Sequence, residues 1–185
     1  MKVDFQRAFQ LITGEVSGVG SSVEADQIEA LIEALSRART VFLTGEGRSG
    51  LVARAFAARL CHLGLDCRVV GEPTTPPVGE GDLLVAVSGS GETPATLHFA
   101  DAARAAGASV AAVAADEDSR LAALSDVALV VPGRVKTGRG LDSAQVPGAL
   151  FEQAAFLALE AVVLMLAQRR GETHESMGRR HTNLE

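Results

Sequence analysis

The sequence contains no tryptophan and no tyrosine, and seven phenylalanines supply its whole 4% of aromatics. So little ring surface disfavours an aromatic-rich sandwich and favours alanine-rich helices packed closely on a sheet. Cysteine occurs twice, at Cys61 and Cys67. The two stand too close together for an obvious structural staple and are too few for a zinc site, so they are expected as reduced thiols in a cytoplasmic protein. Acidic residues outnumber basic ones, 23 to 17, giving a net charge of −6 and no positive field to recruit nucleic acid. The chain start lacks the basic stretch and apolar core of a secretory leader. No uninterrupted apolar run reaches bilayer length; Phe151–Ala167 comes nearest and is broken by Glu152, Gln153 and Glu160, so no membrane partner is expected. A Gly-Lys-Ser/Thr phosphate loop is missing, and Gly45-Glu46-Gly47-Arg48-Ser49-Gly50 departs from the dinucleotide fingerprint by one residue. The ordinary nucleotide readings fall with them.

What is present is an apolar chain of one-domain size. Its 185 residues are 47% hydrophobic, which excludes disorder as the main state and predicts one domain over 1–185. Apolar residues recur at helical spacing over Val3–Thr13 and Glu24–Ala38, with a turn expected at Gly18–Ser22. This leading pair reads as an arm on the core or on another subunit. From Val41 onward strands alternate with helices: strands at Val41–Leu43, Asp66–Val70, Asp82–Val87, Ser109–Ala114 and Val127–Val131, with helices at Leu51–Leu63, Pro94–Ala106 and Ser119–Ala123. Short apolar strands without polar alternation predict an α/β fold, a doubly wound, mostly parallel sheet flanked by helices. Arg134–Pro147 interrupts the pattern as a mobile surface or active-site loop, and Gly148–Arg170 reads as one long helix, partly buried in a subunit interface. The polar tail Glu172–Glu185 is expected to fray unless tied down.

Two serine- and glycine-rich segments follow buried strands, Thr44–Gly50 and Ser88–Thr93. Loops at the carboxyl ends of parallel strands can cradle an anion with backbone N–H groups and hydroxyls. In the second, Ser88, Ser90 and Thr93 offer three hydroxyls, while Gly89 and Gly91 permit close backbone approach. Thr93-Pro94 also reads as a helix start, whose dipole favours an anion. Glu92 suits that helix start and, by like charge, not a phosphate contact. Glu152 opens the long helix and has two readings, a helix-start charge or a chemical carboxylate. Of the four histidines, His62 and His98 lie in helices and His174 and His181 in the tail; periodicity selects none of them.

Several stretches taken together resemble the sugar isomerase (SIS) family of phosphosugar-binding domains. They are Gly47-Arg48-Ser49-Gly50, His62-Leu63-Gly64, Gly71–Pro76, Gly81–Leu84, Ser88–Thr93, Leu150-Phe151-Glu152-Gln153 and the ending Arg180–Glu185. The serine–glycine loop marks the broad family; the Phe-Glu-Gln segment and the ending, with threonine at 182 where alanine is more usual, narrow it to a branch acting on ketohexose phosphates. The resemblance implies interconversion of 3-hexulose 6-phosphate and fructose 6-phosphate without metal or organic cofactor, in a homotetramer with sites near subunit contacts. It implies that Ser49, Ser88, Ser90 and Thr93 hold phosphate, that Arg48 touches substrate and that Glu152 is the catalytic carboxylate. His181, then His62, are the expected proton carriers between oxygens. An aldose–ketose isomerase and a non-catalytic phosphosugar sensor remain the alternatives, because the loops bind the phosphate that all three share.

Overall fold

Strand residues alternate between two apolar layers, and this fixes the architecture. A computed structural model describes residues 4–133 and 142–183. Strands β1 (Val41–Gly45), β2 (Cys67–Val69), β3 (Leu83–Val87), β4 (Ser109–Ala114) and β5 (Val127–Val130) pair in parallel in the order β2-β1-β3-β4-β5. Val41, Leu43, Val85, Val113 and Leu129 face one layer, and Phe42, Leu84, Ala86, Val110 and Ala112 face the other. With both faces apolar, the strands lose the polar alternation of a half-exposed sheet.

Helices α2 (Ala25–Arg37), α3 (Gly47–His62) and α6 (Ala149–Arg170) bury Leu31, Phe56 and Phe151 on the first face. Helices α4 (Pro94–Ala105) and α5 (Arg120–Leu124) bury Leu97, Ala100 and Leu121 on the second. The sheet is therefore doubly wound, as the sequence predicts. Its strand order reverses between β1 and β3, where a crevice opens at the carboxyl ends of the strands.

Three local expectations change. Helix α1 runs from Phe5 to Gly20, into the expected turn, which is left at Ser21–Ser22, because Val16 and Val19 are buried and continue its apolar stripe past Gly14 and Gly18. Helix propensity costs about 1 kcal/mol per exposed glycine, and packing overrides it here. The leading pair is also less of an arm than expected, since Leu31, Ile32 and Leu35 of α2 are core residues. Helix α6 is long and apolar enough to cross a membrane, its acidic residues notwithstanding; its burial against the sheet is that of a core helix.

The loop after β5 is described only in part: residues 134–141 lie outside the described residues. Over 142–147 it is tied to α1, where Glu15 accepts from Ser143 Oγ at 2.6 Å, Ala144 N at 2.9 Å and Gln145 Nε2 at 3.0 Å. The Ser143 hydrogen bond is the main reason that the Glu15 carboxyl titrates below its ordinary range.

The turn from β1 into α3 brings backbone hard against backbone. A Cβ on Gly45 would sit 2.8 Å from the Val87 carbonyl oxygen, and one on Gly50 would sit 2.5 Å from the Gly45 carbonyl oxygen. Gly50→Ala should therefore destabilise by about 1–3 kcal/mol, as overpacking does. Gly14→Ala, with nothing within 4 Å and an ordinary helical φ, should stabilise by up to about 1 kcal/mol. Urea midpoints of the two variants check both signs.

Candidate active site

The segment Ser88–Thr93 is sutured into the crevice by its backbone. Ser88 N donates to Val113 O, Ala115 N to Gly89 O, Gly91 N to Ser88 O and Leu121 N to Gly91 O, at 3.0–3.1 Å. Gly91 has φ +63°, and a Cβ there would collide with Ser119, so only glycine fits. Within this frame Ser88 Oγ lies 3.0 Å from Thr93 Oγ1, and Ser90 Oγ accepts from Glu92 N at 3.2 Å. Thr93 is the N-cap of α4 with Pro94 following, but its side chain does not cap the helix. The first-turn N–H groups of α4 are thus left facing the crevice beside three hydroxyls, the donor set a phosphate requires. Glu92, expected as a charge at the start of α4, instead accepts from Arg120 N at 2.9 Å, at the start of α5.

Across the crevice the first segment differs from the loop that was expected. Gly47–Gly50 already form the first turn of α3, whose N-cap Glu46 makes no side-chain capping bond. A second helix N-terminus, carrying Arg48 and the half-buried Ser49, therefore aims at the same crevice.

Glu152 reaches this edge from the first turn of α6. Gly148, at φ 86°, starts the helix, and Gly133 packs so tightly that a Cβ would lie 2.9 Å from Phe151 N. The carboxylate is 8% exposed and accepts a hydrogen bond from Arg48 Nε, while the Arg48 side chain is largely open to solvent. The ion pair fixes the direction of the carboxylate. Arg48 and Glu152 also stand at the rim of a cavity of about 1060 Å³ between α1, α3 and α6, with Leu51, Phe156 and Leu157 along it. Its apolar walls suit a protein surface and not a sugar phosphate. Gln153, which sequence reasoning quoted only as part of a motif, lines the same cavity, and its buried Oε1 has no partner among the described residues.

The histidines do not join this group. Helix α3 begins at the carboxyl edge of β1 and ends where β2 starts, so His62 lies at the opposite edge of the sheet from Arg48. Fourteen helical residues separate the two by about 21 Å. His181 is at the far edge too, stacked on His62 with ring centroids 4.8 Å apart. The expected set Glu152, His181 and His62 is therefore not assembled within one chain. His98 is exposed on α4, against Phe99.

Nor does the tail fray over its described length. After α7 (His174–Gly178), Arg180 donates to the His62 carbonyl at 2.9 Å and to Glu172 Oε2 at 2.8 Å, and Ser176 Oγ also donates to Glu172. These contacts, Arg180 foremost, hold the Glu172 carboxyl down at about 2, so the clasp survives acidification until pH falls from about 4.5 toward 2. No local pattern in the sequence marks this clasp. Leu184 and Glu185, part of the family-like ending, lie outside the described residues.

Burial, then the neighbouring His181, then Arg59 push His62 below its ordinary value of 6.5. The neutral ring is favoured, and the stability of this arrangement is present above pH 6.5 and lost as pH falls through the lower, folded-state value. By NMR titration His62 should protonate below 6.5, and His181→Asn should move it back upward; a value above 6.5 contradicts the stacked pair.

Comparison with known proteins supplies the family. The SIS domain family model matches residues 34–157, and the chain belongs to that family. It is 39% identical over 183 residues to the 3-hexulose-6-phosphate isomerase of Mycobacterium gastri, covering 98% of this chain and 92% of that one. The Bacillus subtilis protein of the same name is 35% identical over 176 residues, covering 94% and 95%. A crystal structure from Methanococcus jannaschii, from which 3-hexulose-6-phosphate isomerase function was inferred, superposes with a TM-score of 0.84 at 27% identity, covering 96% and 99%.

Proposed function

We propose that this chain is a sugar-phosphate isomerase that interconverts 3-hexulose 6-phosphate and fructose 6-phosphate. One arrangement carries the reading: a buried carboxylate, Glu152, held at the same edge of the sheet as the serine–glycine cradle. The names of the full-length relatives supply the sugar. Ser49, Ser88, Ser90 and Thr93, with the N-termini of α3 and α4, hold the phosphate dianion. Its binding energy positions carbons that lie several bonds away.

Starting from the 3-ketose, Glu152 takes the C2 proton as a proton is delivered to the C3 carbonyl oxygen, giving a C2–C3 cis-enediol. Return of a proton to C3 and loss of the C2 hydroxyl proton complete the 2-ketose. Every proton removed is returned, so no redox partner enters. Arg48 leaves its ion pair to meet the substrate's developing oxyanion. Glu152→Gln should lower kcat by about 10²–10⁴-fold, the range for a lost general base, with the fold intact by circular dichroism; turnover within a few-fold of wild type removes Glu152 from this role.

The histidines enter from a neighbouring copy. The separation of His62 from Arg48 along α3, and the apolar trough beside Glu152 with Leu51 and Leu157 exposed, support a site completed across a subunit contact in a homotetramer. His181 and His62 of that copy then move protons between the two oxygens. Glu152→Gln and His62→Ala chains, each impaired alone, should regain activity when co-assembled; hybrids verified by native mass spectrometry that stay inactive contradict the shared site.

A further inference from the structure

The only two cysteines face each other at the far edge of the sheet, and the isomerase chemistry uses neither. Cys61 lies in the last turn of α3, and Cys67 opens β2. The turn between them folds back on itself: Gly64 takes φ +80°, Gly64 N donates to Cys61 O at 2.9 Å, and Leu65 N donates to Leu60 O at 3.0 Å. This turn makes the Cys61 and Cys67 side chains neighbours, near enough for the Cys67 thiol and backbone N–H to act on Cys61. Both residues line one cavity of about 510 Å³, beside Arg54, Arg68 and Glu72. Cys61 is exposed and Cys67 is 7% exposed, an accessible attacking sulfur backed by a sheltered one.

We propose that Cys61 and Cys67 form a reversible redox pair in which Cys61 reacts first with a hydroperoxide and Cys67 resolves it to an intramolecular disulfide. The Cys61 thiolate attacks the terminal peroxide oxygen; the O–O bond breaks, leaving a sulfenic acid on Cys61 and an alcohol that takes up a proton. Cys67 sulfur then displaces the hydroxyl, the S–S bond forms, and its proton leaves with that hydroxyl as water. Two thiols are oxidised, one hydroperoxide is reduced, and a small dithiol reverses the step.

The local electrostatics favour this order. The Cys67 thiol, above all, with its backbone N–H and the Arg68 charge, draws the Cys61 thiol below its ordinary value against desolvation, which favours its thiolate. The adjacent Cys61 sulfur, then burial, push Cys67 up, which suits a resolving thiol that stays protonated until its neighbour is oxidised. The consequence reaches the histidines. His62 directly follows Cys61, and its carbonyl holds Arg180 and hence the tail that bears His181. The disulfide clamps the end of α3 to β2 beside that contact and slows isomerisation, an effect that rests on the role proposed for His62 and His181; the thiol chemistry does not.

Treatment of the full chain with hydrogen peroxide, followed by intact-mass and peptide analysis, tests the pair. Wild type should lose about 2 Da, with Cys61 and Cys67 peptides linked and dithiothreitol restoring the original mass. Cys67→Ser should instead gain about 16 Da, trapped by dimedone at Cys61, and Cys61→Ser should stay unmodified. A wild-type gain of oxygen without the linked peptide, or trapping at Cys67, overturns the redox pair. Oxidised wild type should turn over at least several-fold more slowly and recover on reduction; a quantitative disulfide with undiminished turnover overturns the coupling to the histidines.

Discussion

Two helix N-termini converge on one crevice only because backbone meets backbone at the carboxyl ends of β1 and β3. The β1–α3 turn has no room for side chains at Gly45 and Gly50, each of which faces a carbonyl oxygen. A larger residue at either would lift the start of α3 away from β3. Arg48 and Ser49 would then move away from the Ser88–Thr93 cradle. Gly91 plays the matching part on the second segment, holding it against Ser119. The proposed anion site is therefore a product of close packing in the frame, and its hydroxyls only complete it.

The same frame explains how the chemistry is divided. A parallel sheet sends every connecting helix from its carboxyl edge back to its amino edge. Arg48 and His62, at opposite ends of α3, must therefore lie on opposite edges. Glu152 joins the carboxyl edge because α6 starts there, pinned by the Gly133–Phe151 contact. The histidine pair belongs to the amino edge, where the Glu172–Arg180 clasp and the two cysteines also sit. One chain thus keeps the two halves of the proposed site at opposite edges, and the proposed exchange between symmetric copies would bring them together.

Much of this was legible in the sequence, for physical reasons. The strands announce themselves because burial on both faces leaves unbroken apolar runs, and Thr93-Pro94 and Ser88–Gly91 carry the chemistry of a helix start and a close approach. Glu152 was legible as a candidate, though only the structure shows it paired with Arg48. Other features depend on tertiary contact and leave little local signal. Helix α1 continues through Gly14 and Gly18 because Val16 and Val19 find a core. The tail is ordered by Arg180 reaching back to His62, a contact across 118 positions that no periodicity encodes. The separation of His62 from Arg48 is itself legible, as the length of the helix that joins them.

The central claim is that protons move between C2 and C3 of a ketohexose phosphate held at the β1–β3 crevice. Incubating the protein with fructose 6-phosphate in heavy water, and locating deuterium by NMR, tests it most directly. The account predicts deuterium at C3, with appearance of the 3-ketose. Deuterium at C1 would make the chain an aldose–ketose isomerase, and saturable binding with no exchange would make it a sensor; either result contradicts the account.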